Sequence, residues 1–316
     1  MHSILDIAKE IYPDVSICHL DFIKNESHMQ EQIKFWKDSN KRVLIYTDEN
    51  YDLHRPFVEL AKKDYDKFGF TTPGLHKDQF HIPNVDPLTM WSCDPSQPRV
   101  DHNADKPYRF IFLVGKLHQH RLDLLEALGE NKILDETLLS LDNKYHAYPH
   151  VLPKKQSLPP QYEWPEIVQL GGFEIWTIGS PLDKAWQVYM GKVHAKRYQD
   201  SAISIVSETN LNVDINYLTE KTWIPIVAEH LMVHHGNKNN IDYLADLGFI
   251  VNDNIVNPYD ESNALDVTKA CLELSAKDIK LLYTDTKKSR QQNRQLALDE
   301  PHWIEYHKQQ LKKYFN

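Results

Sequence analysis

The sequence predicts an α/β protein of two successive units, each with a mostly parallel sheet. Three observations carry that expectation. Apolar, β-rich runs alternate with helical segments along the chain, the rhythm of strand–helix–strand units. Several strand runs, such as "YRFIFLVG" and "SAISIVSE", are apolar on consecutive residues, as strands covered on both faces are. A Pro- and Asp-rich stretch, "HIPNVDPLTMWSCDPSQPRVDHNADKP" (81–107), interrupts the rhythm between the first pair of strands and the rest.

The elements follow in order. "MHSILDIAKEIYP" reads as a short amphipathic helix, with acidic residues where a signal peptide would be apolar. "VSICHLDFI" and "KRVLIYTDE" read as strands separated by the helical "SHMQEQIKFWKD", and "HRPFVELAKKDYDKF" as the next helix. A last strand of this unit is expected around Leu88–Trp91. The second unit opens on "YRFIFLVG" and the helix "HRLDLLEALGE", whose Leu122, Leu125 and Leu128 recur at helical spacing. After the Pro-rich "YPHVLPKKQSLPPQYEWPE" come strand-like "FEIWTIG", the strand "SAISIVSE" and the helix "TEKTWIPIVAEH". Strand "LMVHHG" and helix "NIDYLADLGF" follow, and "PHWIEYHKQQLKKYF" closes the sequence as an amphipathic helix expected to pack back. These boundaries divide the chain into an acceptor-side α/β domain (1–104), a Rossmann-like domain (105–290) and a C-terminal helical segment (291–316).

The 316 residues are 41% hydrophobic and 26% charged, an ordinary globular composition. A net charge of −9 disfavours an extended nucleic-acid surface, which needs clustered cations. The basic cluster "KKSR" (287–290) with Arg294, and later Lys312 and Lys313, reads as a solvated helix face. Cys18, Cys93 and Cys271 are odd in number and lack metal spacing, so they read as reduced thiols of a cytoplasmic protein. No run of about 18 apolar residues is present to span a membrane.

Two loops lie where ligands collect in parallel sheets, beyond the carboxyl ends of strands. The first holds Gly115, Lys116, His118 and His120 and leads to Arg121 in the first turn of a helix. Helix N-termini favour anions, and an arginine there adds a bidentate donor. In the second, Glu208 ends a strand and Thr219 stands as N-cap of the helix begun by Glu220 and Lys221. Glu220 suits the helix dipole; Lys221 opposes it, as a cation placed for an anion would. A diphosphate needs cations and amide donors, and a ribose needs a carboxylate to accept from its hydroxyls. Pro225 cannot donate to the carbonyl of Lys221.

At these residues the sequence resembles a known family. "SETNLNVDINYLTEKTW" looks like the donor-binding motif of the α1,3-fucosyltransferases, Phe-Glu-Asn-Ser, a short loop, then Asp-Tyr-Ile/Val-Thr-Glu-Lys-Leu-Trp. Glu208 falls on the family's first glutamate. Tyr217, Thr219, Glu220, Lys221 and Trp223 match the second part. Thr209 and Asn210 stand where the family has Asn-Ser. Upstream, "FLVGKLHQHRLDLLEAL" follows the family's plan, with Arg121 at its arginine, and "IVAEHLMVHHG" resembles a downstream strand. The resemblance spans roughly residues 108–250. "HRLDLL", "SETN" and "TEKTW" are also similar to glycosyltransferase-like proteins of phages, large viruses and some bacteria.

The resemblance implies a GT-B fold, two Rossmann-like domains facing a cleft, with a UDP- or GDP-linked sugar held by the second. Arg121 and Lys221, with Gly115 and Lys116 nearby, would hold the diphosphate. Glu208, Glu220, Asn210, Tyr217 and Thr219 would orient ribose and sugar. Asp48 and Glu49, at the end of "RVLIYTDEN", are the expected base for the acceptor hydroxyl. No cofactor and no metal are expected. His234 and His235 point to opposite sides of a strand and are not expected to share an ion. The partners would be the nucleotide sugar and an acceptor glycan, or a hydroxymethylated base of phage DNA, in the cytoplasm (the host's, if the source is viral). The competing reading is a nucleotide-binding regulatory or assembly protein on a degenerate transferase fold. Trp91, Trp164 and Trp176, and the loop "NPYDESN" (257–263), are candidates for sugar or donor contacts, though core packing and a surface loop suit them better.

Overall fold

A computed structural model describes residues 4–46, 51–65, 67–71, 75–76, 106–114, 118–141, 197–208, 211, 215–216, 218–237, 239–251, 255–256 and 263–315. The chain forms two compact units. One comprises Met1–Asp86, Asp214–Tyr217 and Asp299–Asn316; the other comprises Pro87–Val213 and Leu218–Leu298. Both are α/β, with parallel sheets.

In the first unit, β1 (Ser16–His19), β2 (Val43–Tyr46) and β3 (Phe68–Thr71) pair in parallel in that order. Alternation along β2 splits its side chains between two layers. Val43 and Ile45 join Met29, Ile33 and Trp36 of α2 (Glu26–Ser39) and Val58 and Ala61 of α3 (Tyr51–Asp64). Leu44 faces the other way, onto Ile4, Ile7 and Ala8 of α1 (Ile4–Ile11) and onto Leu311 and Phe315 near the end of the chain. Asn25 caps α2 by accepting from the His28 amide at 2.9 Å, and Asn40 ends it in the left-handed region at φ 49°. The strand expected from "VSICHLDFI" is shorter than that run, because Leu20–Phe22 close into a 3-10 turn. The two-residue strands β4 (Leu75–His76) and β8 (Ile215–Asn216) pair antiparallel in this unit. The expected strand at Leu88–Trp91 lies outside the described residues.

The second unit contains β5 (Tyr108–Val114), β6 (Thr137–Leu141), β7 (Ser201–Ser207), β9 (Leu231–His235) and β10 (Ile255–Val256). Among the described residues they lie parallel in the order β10-β9-β7-β5-β6. Phe110 pairs with Ile203 and Ile203 with Leu231. The strand that follows β5 in the chain, β6, lies on one side of it, and β7 lies on the other. The order therefore reverses between β5 and β7. That is the topological switch point, where adjacent loops diverge and leave a crevice.

One sheet face carries Phe110, Phe112, Val114, Ile203, Ile205, Leu231 and Val233. It packs on Leu124, Leu125 and Leu128 of α4 (Gln119–Glu130) and on Val267, Ala270, Cys271 and Leu274. Those last four belong to a helix, Ala264–Ser275, that hydrophobic periodicity and the Asn263 cap explain. On the opposite face, Ile111, Leu138 and Tyr198 meet Ile224 of α5 (Glu220–Val227). Beyond β9, α6 (Asn239–Asp246) is followed by Gly248 at φ 93°, a conformation glycine adopts without steric cost. The numbering then continues with α7 (Ala264–Ser275), α8 (Ile279–Asp285), α9 (Lys287–Ala297) and α10 (Glu300–Phe315). The last of these packs back onto α1 in the first unit, with Tyr12 and Phe315 edge to face at 5.4 Å.

Cys18 and Cys271 are buried free thiols, and burial pushes both up to about 12. No helix among the described residues is long and apolar enough to cross a membrane.

Candidate functional site

The carboxyl end of β7 is tied to the start of α5 through one side chain. All seven residues of β7 are buried, and the Glu208 amide continues its ladder by donating to the His235 carbonyl at 2.9 Å. The Glu208 carboxylate then turns to α5 and is fully buried. Oε1 accepts from the Thr219 amide at 3.0 Å and from the Thr222 hydroxyl at 2.6 Å; Oε2 accepts from the Thr219 hydroxyl at 2.6 Å. Thr219 is the N-cap, in extended conformation, and its hydroxyl also accepts from the Lys221 amide at 3.3 Å. A carboxylate at a helix N-terminus is favourably placed against the dipole. Burial nonetheless raises the Glu208 pKa, opposed by the Lys221 charge and by the three hydrogen bonds.

The start of α4 is tied to the same strand end. Arg121, in the first turn, is 1% exposed, and its Nη2 donates to the Ser207 carbonyl at 2.7 Å. One residue earlier, His120 lies 3.1 Å from the next carbonyl, that of Glu208, through Nε2. A carbonyl only accepts, so this nitrogen carries the proton. The His120 ring stacks on His118 at 5.6 Å with 4° between planes and meets His235 edge-on at 5.6 Å. His235 in turn pairs its Nδ1 with the Ser207 hydroxyl at 3.0 Å. The His120 pKa is lowered to about 4, chiefly by burial, with the positive charge of Arg121 and then His118 adding to it. The loop read as basic from its composition therefore contributes a neutral imidazole at physiological pH, and an arginine turned inward.

Arg121, Glu208, Thr219 and Lys221 are thus brought together around the β5–β7 switch point. Glu220 is the first residue of α5, and its side chain lies outside the described residues, as do Asp48, Glu49, Gly115, Lys116, Asn210 and Tyr217 entirely. Trp91, Trp164, Trp176 and residues 257–262 also lie outside them. Thr222 was not singled out by its sequence context, and His120 was read only as one member of a basic loop. The signal for Thr222 is the helical position three residues past the cap, where a hydroxyl faces back toward the preceding strand end.

The basic cluster near the C-terminus resolves differently from a solvated face. Arg290 and Arg294 of α9 are 1% and 6% exposed. Arg290 donates to the carbonyls of Glu229 at 2.7 Å and Tyr283 at 2.6 Å and to the Thr286 hydroxyl at 3.0 Å. Arg294 donates to the Val227 carbonyl and lies 3.8 Å from the Glu229 carboxylate. Both arginines therefore complement the carbonyl-rich end of α5. Lys287 and Lys288 are exposed. His234 and His235 are both buried at the end of β9. Neither ring nitrogen of His234 has a hydrogen-bond partner among the described residues, and burial lowers its pKa to about 4. A Cβ at Gly236 would lie 2.2 Å from its Cε1, so the ring sits directly against that glycine. No group of three or more potential metal ligands is present among the described residues.

No protein-family model matches the sequence, and no curated protein matches it. Among solved structures, the chain is similar to a spinosyn rhamnosyltransferase at 10% identity and a TM-score of 0.43, over 95% of this chain and 73% of that one. It is also similar to α,α-trehalose 6-phosphate synthase from Burkholderia multivorans at 11% identity and a TM-score of 0.41, over 98% and 72%.

Proposed function

We propose that the protein is a GT-B glycosyltransferase that moves a sugar from a UDP- or GDP-linked donor to a hydroxyl acceptor. The observation that carries this reading is the convergence of α4 and α5 on one switch point. There the first turns of both helices are fixed to the end of β7, with Arg121 beneath and Lys221 on the half-buried rim. Two helix starts, with the Lys221 cation on the rim and the Arg121 charge buried behind it, suit a diphosphate, whose leaving group gains negative charge as the sugar C1–O bond breaks. The donor-motif resemblance of residues 208–223 points to the same chemistry.

The roles divide by burial. Lys221 meets the diphosphate. Glu208 and Arg121 act as positioning residues, since each already spends hydrogen bonds on the neighbouring backbone or hydroxyls. Glu220, Tyr217 and Asn210 are assigned to ribose and sugar. The acceptor hydroxyl attacks C1, the nucleoside diphosphate departs, and the acceptor proton goes to Asp48 or Glu49. The preferred acceptor is a glycan. The acidic net charge of −9 and the inward use of Arg290 and Arg294 weigh against modified DNA.

The test is turnover. Incubation with a panel of UDP- and GDP-sugars should release free sugar slowly, by transfer to water, and Lys221→Ala should abolish the release. Binding of nucleoside diphosphate with no sugar release from any donor would favour the regulatory reading instead.

A further inference from the structure

We propose that His120 is a specificity-determining residue of the donor site, its Nδ1 accepting a hydrogen bond from a hydroxyl of the bound nucleotide sugar. This rests on the donor-site reading above and adds to it a residue and a chemical preference. The Nε2 proton is committed to the Glu208 carbonyl at 3.1 Å, which fixes the tautomer and leaves Nδ1 with its lone pair. The ring is held on two sides, stacked on His118 and edge-on to His235. It is half-buried, and Nδ1 makes no hydrogen bond among the described residues. An oriented acceptor at the crevice where α4 and β7 meet selects a ligand group that donates.

The charge state supports this direction. Arg121 follows in sequence, His118 lies against the ring, and His120 stands in the first turn of α4, where a cation is disfavoured. Among the described residues, Asp123 one turn along α4, His235 of β9 and the Glu208 carbonyl just past β7 also face the ring. The only carboxylate on its own helix turn, Asp123, is weaker than burial in its effect. The imidazole is therefore neutral near pH 7. A neutral lone pair repels a phosphate oxygen and accepts from a hydroxyl. The hydroxyl belongs to the ribose or to the transferred sugar.

The experiment compares wild type, His120→Gln and His120→Phe by calorimetric titration with UDP, GDP, their 2′-deoxy and 2′,3′-dideoxy forms, and UDP- and GDP-linked hexoses. Glutamine keeps a donor for the Glu208 carbonyl but carries its acceptor oxygen on Cδ, one atom beyond the position of the ring Nδ1; phenylalanine lacks donor and acceptor alike. Both variants are expected to bind about five- to tenfold more weakly than wild type, the worth of one hydrogen bond between neutral groups. If ribose is the donor, removing its hydroxyls weakens wild type by that factor and the variants not at all. If the transferred sugar is the donor, the variants lose affinity for nucleotide hexoses only. A merely structural role would not erase discrimination against deoxy ligands. Variants that bind every ligand as wild type does, while Lys221→Ala binds more weakly, overturn the His120 assignment and leave the donor site standing. A wild-type protein that binds none of these ligands overturns both.

Discussion

Replacing Glu208 with alanine tests how the end of β7 holds α5. The substitution removes two acceptor oxygens and leaves three buried donors, the Thr219 amide and the hydroxyls of Thr219 and Thr222, without their partner. Hydrogen bonds to a charged group are worth about 1.5–3 kcal/mol each. The cost of burying the carboxylate, recovered on its removal, offsets part of their sum. A net loss of about 3–5 kcal/mol results, or roughly 6–20 °C in Tm for a unit of this size. Glutamine separates the two oxygens. Its carbonyl can occupy the Oε1 position and keep the Thr219 amide and the Thr222 hydroxyl, while its amide meets the Thr219 hydroxyl, which must turn to accept. Glu208→Gln should therefore cost about 1–1.5 kcal/mol, the worth of one rearranged bond. Urea denaturation followed by far-UV circular dichroism measures both. An alanine variant within about 1 kcal/mol of wild type would refute the clamp. So would a glutamine variant as damaged as the alanine one.

Three further outcomes follow from buried polar groups of the second unit. Arg290→Met should cost about 3–5 kcal/mol in the same denaturation assay, because the carbonyls of Glu229 and Tyr283 and the Thr286 hydroxyl lose a buried charged donor; wild-type stability would contradict its role as a tie. Gly236→Ala places a methyl 2.2 Å from His234 Cε1 and should destabilise by about 1–3 kcal/mol. The His234→Ala background should relieve most of that loss, and strictly additive effects in the double-mutant cycle would argue against the contact. The third concerns pH. His234 has its folded pKa depressed to about 4 by burial, below the ordinary 6.5. Its contribution is therefore present above the unfolded value and lost as pH falls toward 4, by up to about 3 kcal/mol. His234→Leu should flatten stability between those pH values, and an unchanged acid dependence would point to other groups.

Much of the second unit was legible because its signals are local. The apolar runs of β5, β7 and β9, the helical spacing of Leu122, Leu125 and Leu128, and the Thr219 cap each depend on residues close in sequence. The parallel α/β class followed from their alternation. What sequence could not supply was partnership across the fold. Glu208 finds Thr219 and Thr222, eleven and fourteen residues on, because parallel strand–helix topology folds α5 back beside β7. Arg290 and Arg294 read as solvated because arginine is rarely buried. The end of α5, together with the Tyr283 carbonyl of α8, gives them carbonyls to satisfy. A sequence sign did exist: Ser289, Arg290, Asn293, Arg294 and Ala297 form one helix face of short residues and arginines, and all five are buried. The neutral state of His120 was hidden for a similar reason, since Lys116, His118 and Arg121 make its loop look cationic until the Glu208 carbonyl and the half-buried ring are placed.

On the proposed function, a nucleoside diphosphate binds at the β5–β7 switch point of the second unit. Calorimetric titration of UDP and GDP into wild-type protein and Lys221→Ala tests it most directly, with urea denaturation confirming that both are folded. Binding of one nucleotide by wild type, weakened about tenfold or more in the variant as a charged phosphate contact requires, is the expected result. Equal affinity in the two proteins, or no binding of either nucleotide by wild type, would rule out a donor site there.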